Sequence, residues 1–457
     1  MGKTLSMDLA ARPASTAPVL IGVALSSFMV ALDVTALNVA LPSIGHDLAA
    51  GMDRLQWIAG AYTLVFASLL LSAGALSDRL GARKVFLFAL LVFIGSSVAC
   101  GLARGVGGLI CARAVQGIGA ALMLPSSMAL LVEAYPDSKA RAKAVALWGG
   151  ISALALVSGP LLGGILVEWV DWRSIFYLNV PICLIALVCC AGRSSCLATQ
   201  ARSIDWTGQM LSALALLCLI FALIEGPAWG WGHTWIIASL LVALVSSAAF
   251  LFSQQMQREP MLPLNLFESK TFSAAIGAGF LQTLAYYGSL FVLPFALQEQ
   301  GRTPVEIGLA MIPMTIATGV MASLSGRLSN TFGARSVGAV GMLCGALGAA
   351  LLAFYGMNRI SLVFGGLLIG LGGATLPVIV GACLASVPSG KVGVGSGVLN
   401  AARQCGGVTG IALLGATFEG AGRATGALSI IALSFFAAGL LTVLRLYTDE
   451  VDVVREC

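Results

Sequence analysis

The chain has 457 residues, 58% of them hydrophobic and only 10% charged, with a mean hydropathy of +0.96. A soluble domain carries nearer 25% charge, so most of this surface does not face water. The formal charge of +5 comes without a basic run interleaved with aromatics, which excludes a nucleic-acid groove. Eleven cysteines lie scattered through apolar stretches, as at Cys189 and Cys190, with no C-x-x-C pair. They read as small apolar side chains with free thiols, not as a metal or disulfide framework.

Apolar runs of about 20 residues, the length a helix needs to cross a bilayer, recur from end to end. Their hydrophobicity lacks the alternation of barrel strands, so an all-α polytopic membrane protein is expected. Residues 1–16 form a polar, weakly basic tail, and the run that follows reads as a retained signal anchor. Spans are expected near 17–44, 55–77, 85–103, 107–132, 142–168, 174–192 and 207–224. Seven more follow near 234–252, 271–297, 303–325, 336–356, 360–383, 393–418 and 425–446, before a tail at 447–457. Only the turn "VDWRS" separates the fifth from the sixth. Asp205 in "DWTG" is expected to cap the seventh. Trp57, Trp172, Trp229 and Trp231 at span ends suit an aromatic belt, and His46 and His233 read as interfacial surface.

Fourteen spans put both termini on one side. With the N-terminus inside, the inner segments hold 17 Lys and Arg, including Arg79, Arg83, Lys84, Lys139, Arg193, Arg202, Arg258 and Arg335. The outer segments hold six: Arg54, Arg104, Arg173, Arg302, Arg359 and Arg423. This bias places both termini in the cytoplasm.

"GALSDRLGAR" at 74–83 recurs as "GRLSNTFGAR" at 326–335, with Asn330 and Thr331 replacing the acid and the arginine. Eight spans separate the copies. That spacing predicts two six-helix bundles, 17–192 and 256–446, joined by a linker pair of helices at 193–255, a transporter architecture. Gly74 and Gly81 permit a tight turn, Asp78 can accept backbone N–H bonds at a helix end, and Arg79, Arg83 and Lys84 can pair with Asp78 or with neighbouring helix ends. In "VSGPLLGG", Gly159 and Gly163 offer a small-residue face for close packing. Pro160 crowds the carbonyl of Leu156 and can kink its helix.

Charge inside a membrane is costly and usually functional. Of 20 acids, only Asp33 is expected well inside a span, with Arg113 and Arg403 the comparable bases. Asp33 could bind a proton, bind a cationic substrate, or form a structural pair with an arginine. With so few intramembrane acids, neutral, monovalent cationic or zwitterionic substrates are favoured over dications, and Arg113 or Arg403 leaves an anion possible.

These motifs resemble the major facilitator superfamily, in particular its fourteen-span drug:proton antiporter branch. The likeness rests on Gly74, Leu76, Asp78, Arg79, Gly81, Arg83 and Lys84, on Arg113, Gln116, Gly117 and Gly119 in "ICARAVQGIGAA", and on Gly159, Pro160, Gly163 and Gly164. "LDVTALNVALP", "EGPAWGW" and "GSGVLNAARQCGG" add to it, the last carrying Asn400, Arg403 and Gln404 in the C-terminal bundle. The resemblance implies a major facilitator fold of 14 helices in a 6+2+6 order. It makes Asp33, Arg113 and Gln116 the proton and substrate coupling group, and the first glycine-bounded turn a conformational latch. The span-5 glycines become an antiporter motif. The implied protein is no enzyme. It would be a monomeric, proton-coupled antiporter in the plasma (inner) membrane of a bacterium, exporting small amphipathic drugs or antibiotics by alternating access. No cofactor or metal is expected beyond the proton gradient; the partners are the drug, protons and the lipid bilayer. A proton-coupled uptake symporter for a small metabolite is the alternative.

Overall fold

The computed structural model describes residues 16–192, 205–257, 260–388, 391–418 and 423–446. The two tails and Arg193, Arg202 and Arg258 lie outside them. Every regular element among the described residues is helical: α1 (Ala17–Asp47), α2 (Met52–Leu80), α3 (Ala82–Leu102), α4 (Val106–Ala134), α5 (Ser138–Trp169), α6 (Arg173–Ala191), α7 (Trp206–Trp229) and α8 (Thr234–Met256). A short 3₁₀ turn (Leu264–Glu268) leads to α9 (Lys270–Gln298), α10 (Pro304–Phe332), α11 (Ala334–Tyr355), α12 (Arg359–Gly373), α13 (Leu376–Ala385), α14 (Val392–Phe418) and α15 (Arg423–Arg445). Twelve of these stretches are long and apolar enough to cross a bilayer, with 359–385 counted as one, or thirteen with α2, which bends by 58° between its two parts. The 392–418 stretch, which holds Arg403, Gln404 and several glycines, is not among them, so length and composition alone stop short of the expected fourteen.

Polar residues set the helix ends. Asp137 accepts from Ala140 N–H at 2.8 Å, Asn358 caps α12, and Thr303 with Glu306 forms a capping box at α10. Asp205 caps α7 as expected and also accepts from Gln254 and Gln257 of the α8 end, at 2.6 and 2.7 Å. Burial alone would raise the Asp205 carboxyl. The Gln254, Gly208 N–H and Gln257 donors outweigh it and hold the group below the usual range.

The two copies of the repeated turn share one backbone. Gly81 ends α2 and starts α3 at φ +91°, and Gly333 does the same between α10 and α11 at φ +79°, a conformation that only glycine adopts without strain. Ser77 and Ser329, equivalent in the repeat, both bury a hydroxyl without a hydrogen-bond partner.

Helix packing joins the first and second parts of the chain along two seams, α5 on α10 and α2 on α14. At the end that carries the α1–α2 turn, one apolar core takes residues from both parts, among them Leu41, Ile44, Ile58, Leu290, Phe295, Met311, Ile411 and Phe418. At the end that carries the α2–α3 turn there are two separate cores. One is built on Met29, Phe86, Phe93 and Leu131, the other on Phe272, Met342, Cys383 and Leu399. The molecule is sealed at one end and divided at the other.

Candidate functional site

Asp33 lies mid-way along α1 and is fully buried. Arg113 of α4 reaches it with Nη1 at 2.5 Å, the two side chains being 1% and 0% exposed. Gln116, one turn further along α4, donates to Asp33 Oδ1 at 3.0 Å and accepts from Arg113 at 2.6 Å. The sequence grouped these three residues, and the fold brings them together. It adds two more. Asn179 of α6 donates to Asp33 Oδ1 at 3.0 Å, and Ser97 of α3 accepts from both Gln116 and Asn179, at 3.0 and 3.1 Å. The carboxylate therefore takes three donors from two helices. A buried ion needs this, because desolvation otherwise exceeds the Coulomb gain. Arg113 also donates from Nε to the Ile58 carbonyl at 3.3 Å and stacks over Tyr62, 4.3 Å from its ring centre. Two polar atoms at this cluster have no partner: Tyr62 Oη and Asn179 Oδ1.

The glycines of α5 hold this helix against its neighbours. A Cβ at Gly159 would overlap the Thr35 hydroxyl, two residues from Asp33, and one at Gly163 would stand 2.8 Å from the Ala36 carbonyl. Gly164 faces the Pro304 carbonyl of α10, and Gly308 of α10 faces Pro160 in return. So α5 is wedged between α1 and α10, with backbones in direct contact. It runs unbroken through Pro160, and Thr315 donates across the seam to the Val157 carbonyl at 3.3 Å.

At the first repeated turn, Asp78, Arg79 and Lys84 are exposed. Of the two partners open to these cations, Asp78 and a neighbouring helix end, the first is not taken: the ion pairs found among the described residues involve other carboxylates. Arg83 instead donates to the Cys190 carbonyl at 3.1 Å and to that of Ala191, closing the C-terminus of α6. Gly74 has open space beside it. In α14, Asn400 accepts from Arg403 at 2.9 Å, while Arg403 Nε is buried without a partner. Gln404 beside it is half-buried.

Two sequence expectations need correction. The seventh span does not stop at residue 224: α7 runs on to Trp229, so Glu225 lies within its last turns, buried, accepting from Trp57 Nε1 at 2.9 Å. Trp172 is no belt residue. It is 3% exposed and donates to Asp47 at 2.9 Å, tying the end of α1 to the start of α6. His46 and His233 are exposed, as read.

Helices joined by a repeated one-residue turn and meeting along glycine-lined seams, with an ion pair buried in the first bundle, fit a membrane transporter built from two repeated halves. The family model described as Major Facilitator Superfamily matches residues 23–253 and 275–456, and the chain belongs to that superfamily. It is a multi-pass membrane transporter, not an enzyme, of a family that generally works without a cofactor. The chain is 37% identical over 401 residues to the "Multidrug resistance protein Stp" of Mycobacterium tuberculosis, covering 87% of this chain and 74% of that one. It is 36% identical over 425 residues to the "Methylenomycin A resistance protein" of Streptomyces coelicolor, covering 91% and 88%. Among solved structures it is similar to a peptide transporter POT in complex with sulfate, with a TM-score of 0.71, 16% identity, and 94% and 93% of the two chains covered.

Proposed function

We propose that the chain is a proton-driven exporter of small amphipathic drugs or antibiotics, and that Asp33 carries the exchanged proton. The observation that carries this reading is the fully buried Asp33–Arg113–Gln116 cluster at mid-depth of the first bundle. Protonating Asp33 removes its charge, and Arg113 and the amides then lose the anion that orders them. Breaking a buried pair costs about 3–5 kcal/mol, enough to shift the packing of α4 on α1. Thr35, two residues along from Asp33, lies against Gly159 of α5 and so links that change to the seam with α10. The names of the relatives support a drug as cargo, and their organisms support a bacterial plasma membrane.

The bundles are 17–192 and 256–446, with the 193–255 pair between them making fourteen spans; both termini face the cytoplasm, and one chain suffices for transport. On that orientation the sealed end is the outer one, and the structure is a cytoplasm-facing state. The unpaired Asp78 belongs to this state, since Asp78, Arg79, Arg83 and Lys84 would latch the end that is now divided.

The test is proton release from energised inverted vesicles when an amphipathic dye is added at the cytoplasmic face, run in turn with ethidium, pyrenebutyrate and the neutral methyl ester of pyrenebutyrate, with expression checked in parallel. Asp33→Asn should abolish proton-coupled efflux, and Asp33→Glu should keep part of it. Full exchange in Asp33→Asn would move the proton to another group and defeat the mechanism.

A further inference from the structure

On the exporter reading above, we propose that the transported molecule is a monoanion, a carboxylate on an apolar body, and that Arg403 receives the charge. Arg403 is half-buried, and a guanidinium stays charged in any protein environment, so this burial does not neutralise it. It needs an anion or strong acceptors instead. Its one side-chain acceptor is the neutral Asn400, and its Nε is buried with nothing to bond.

The surrounding helices bring no carboxylate to this level. Gln56 of α2 donates to the Ile411 and Ala412 carbonyls of α14, and Gly60 sits opposite Val408. The two helices run antiparallel, so this register sets Arg403 level with residues 64 and 65. At 1.5 Å per residue, Asp53 of α2 then lies about 18 Å away along the axis toward one end, and Asp78 lies at the other end, beyond the bend in α2. Glu225 of α7, held at the level of Trp57, is about 12 Å away. Helix α9 carries only Lys270 as a charged residue, and α13 and the body of α15 carry none. Asp33 is already matched by Arg113. The interior of the second bundle thus holds one uncompensated positive charge, about 16 Å along α14 from its first residue. That depth is beyond easy reach of lipid headgroups.

The groups beside Arg403 suit an apolar anion. Tyr287 lies within electrostatic reach of both Arg403 and Tyr62. Tyr62 lies under Arg113 and has an unpartnered hydroxyl, and Tyr286 pairs with Tyr287 at 6.3 Å between ring centres. A line of tyrosine rings therefore runs between the two arginines. Counting acids in the sequence favoured neutral, monovalent cationic or zwitterionic cargo over dications and left an anion possible. The structure shifts the balance, because its one mid-depth acid is occupied and its second mid-depth base is not.

Charge accounting adds a signature. A proton moving in while a monoanion moves out carries two positive charges inward per cycle, so an inside-negative potential should speed export.

Three probes with one body decide the matter: pyrenebutyrate, its neutral methyl ester, and pyrenemethylammonium. Binding to the purified full chain is followed by fluorescence anisotropy. The wild type should bind the carboxylate about tenfold or more tightly than the ester. Arg403→Ala should erase that preference while leaving ester binding in place, and Arg403→Lys should keep part of it. Arg403→Gln replaces the alanine variant if the latter is not monodisperse. Equal binding of acid and ester by the wild type, preference for the ammonium, or a preference that survives loss of Arg403 would overturn the proposal. This measurement needs no proton gradient, so it can fail while Asp33-dependent efflux stands, and the reverse.

Discussion

Asn179 shows what a single residue contributes here. Its amide supplies one of three donors to a buried carboxylate, and hydrogen bonds to charged groups contribute about 1.5–3 kcal/mol each. Asn179→Ala should therefore weaken efflux by roughly tenfold or more, measured as export of the dye that the wild type carries, per unit of inserted protein, with only a small loss of thermal stability. Unchanged efflux would mean that Arg113 and Gln116 suffice. Asp33 and Arg113 were legible in the sequence because charge stands out within apolar spans, and Gln116 through the resemblance of its motif to a known family. Asn179 and Ser97 were not. A lone Asn or Ser in a span is common, and only the packing of α3 and α6 on α1 shows what each one faces. Glu225 was missed for a different reason: the proline and glycine after it read as a helix end, whereas α7 carries Pro227 within its last turn.

Among the helices, α5 depends most on what its residues lack. A Cβ at position 159 has no room beside Thr35, and overpacking of this kind costs about 1–3 kcal/mol. Gly159→Ala should lower thermal stability by that order and cut efflux sharply, since α1 and α5 must part or α1 must shift near Asp33. Thermal unfolding and efflux, read together, check it; a fully active variant would show that the α1–α5 contact can slacken freely. The glycine spacing predicted a close helix partner. It did not reveal that the same four residues touch two helices, because Gly164 points to α10 while Gly159 and Gly163 point to α1. Element boundaries were nearly all readable from apolar runs, whereas the bend in α2 and the break between α12 and α13 leave no comparable trace.

At the scale of the whole molecule, the topology follows from charge and can be checked by labelling. Ser138 starts α5 and Thr303 precedes α10, and both are exposed. A cysteine placed at Ser138 should react from the cytoplasmic side and one at Thr303 only from outside; reaction of both from one side would break the fourteen-span map. The repeat was readable as ten aligned residues, but the seal at one end and the division at the other were not. They depend on contacts between residues hundreds of positions apart. The shared geometry of the two glycine turns has an engineering consequence. A backbone kept in both copies makes the second turn a ready host for the first one's side chains. Asn330→Asp with Thr331→Arg should fold normally and give the molecule a symmetric pair of charged turns. If the first turn works by latching the cytoplasmic end, the doubled version should hold that end shut longer and slow export of the dye that the wild type carries, while Asp78→Asn should impair export by leaving no acid in either turn. An inserted double variant that exports at the wild-type rate would reduce both turns to topological anchors.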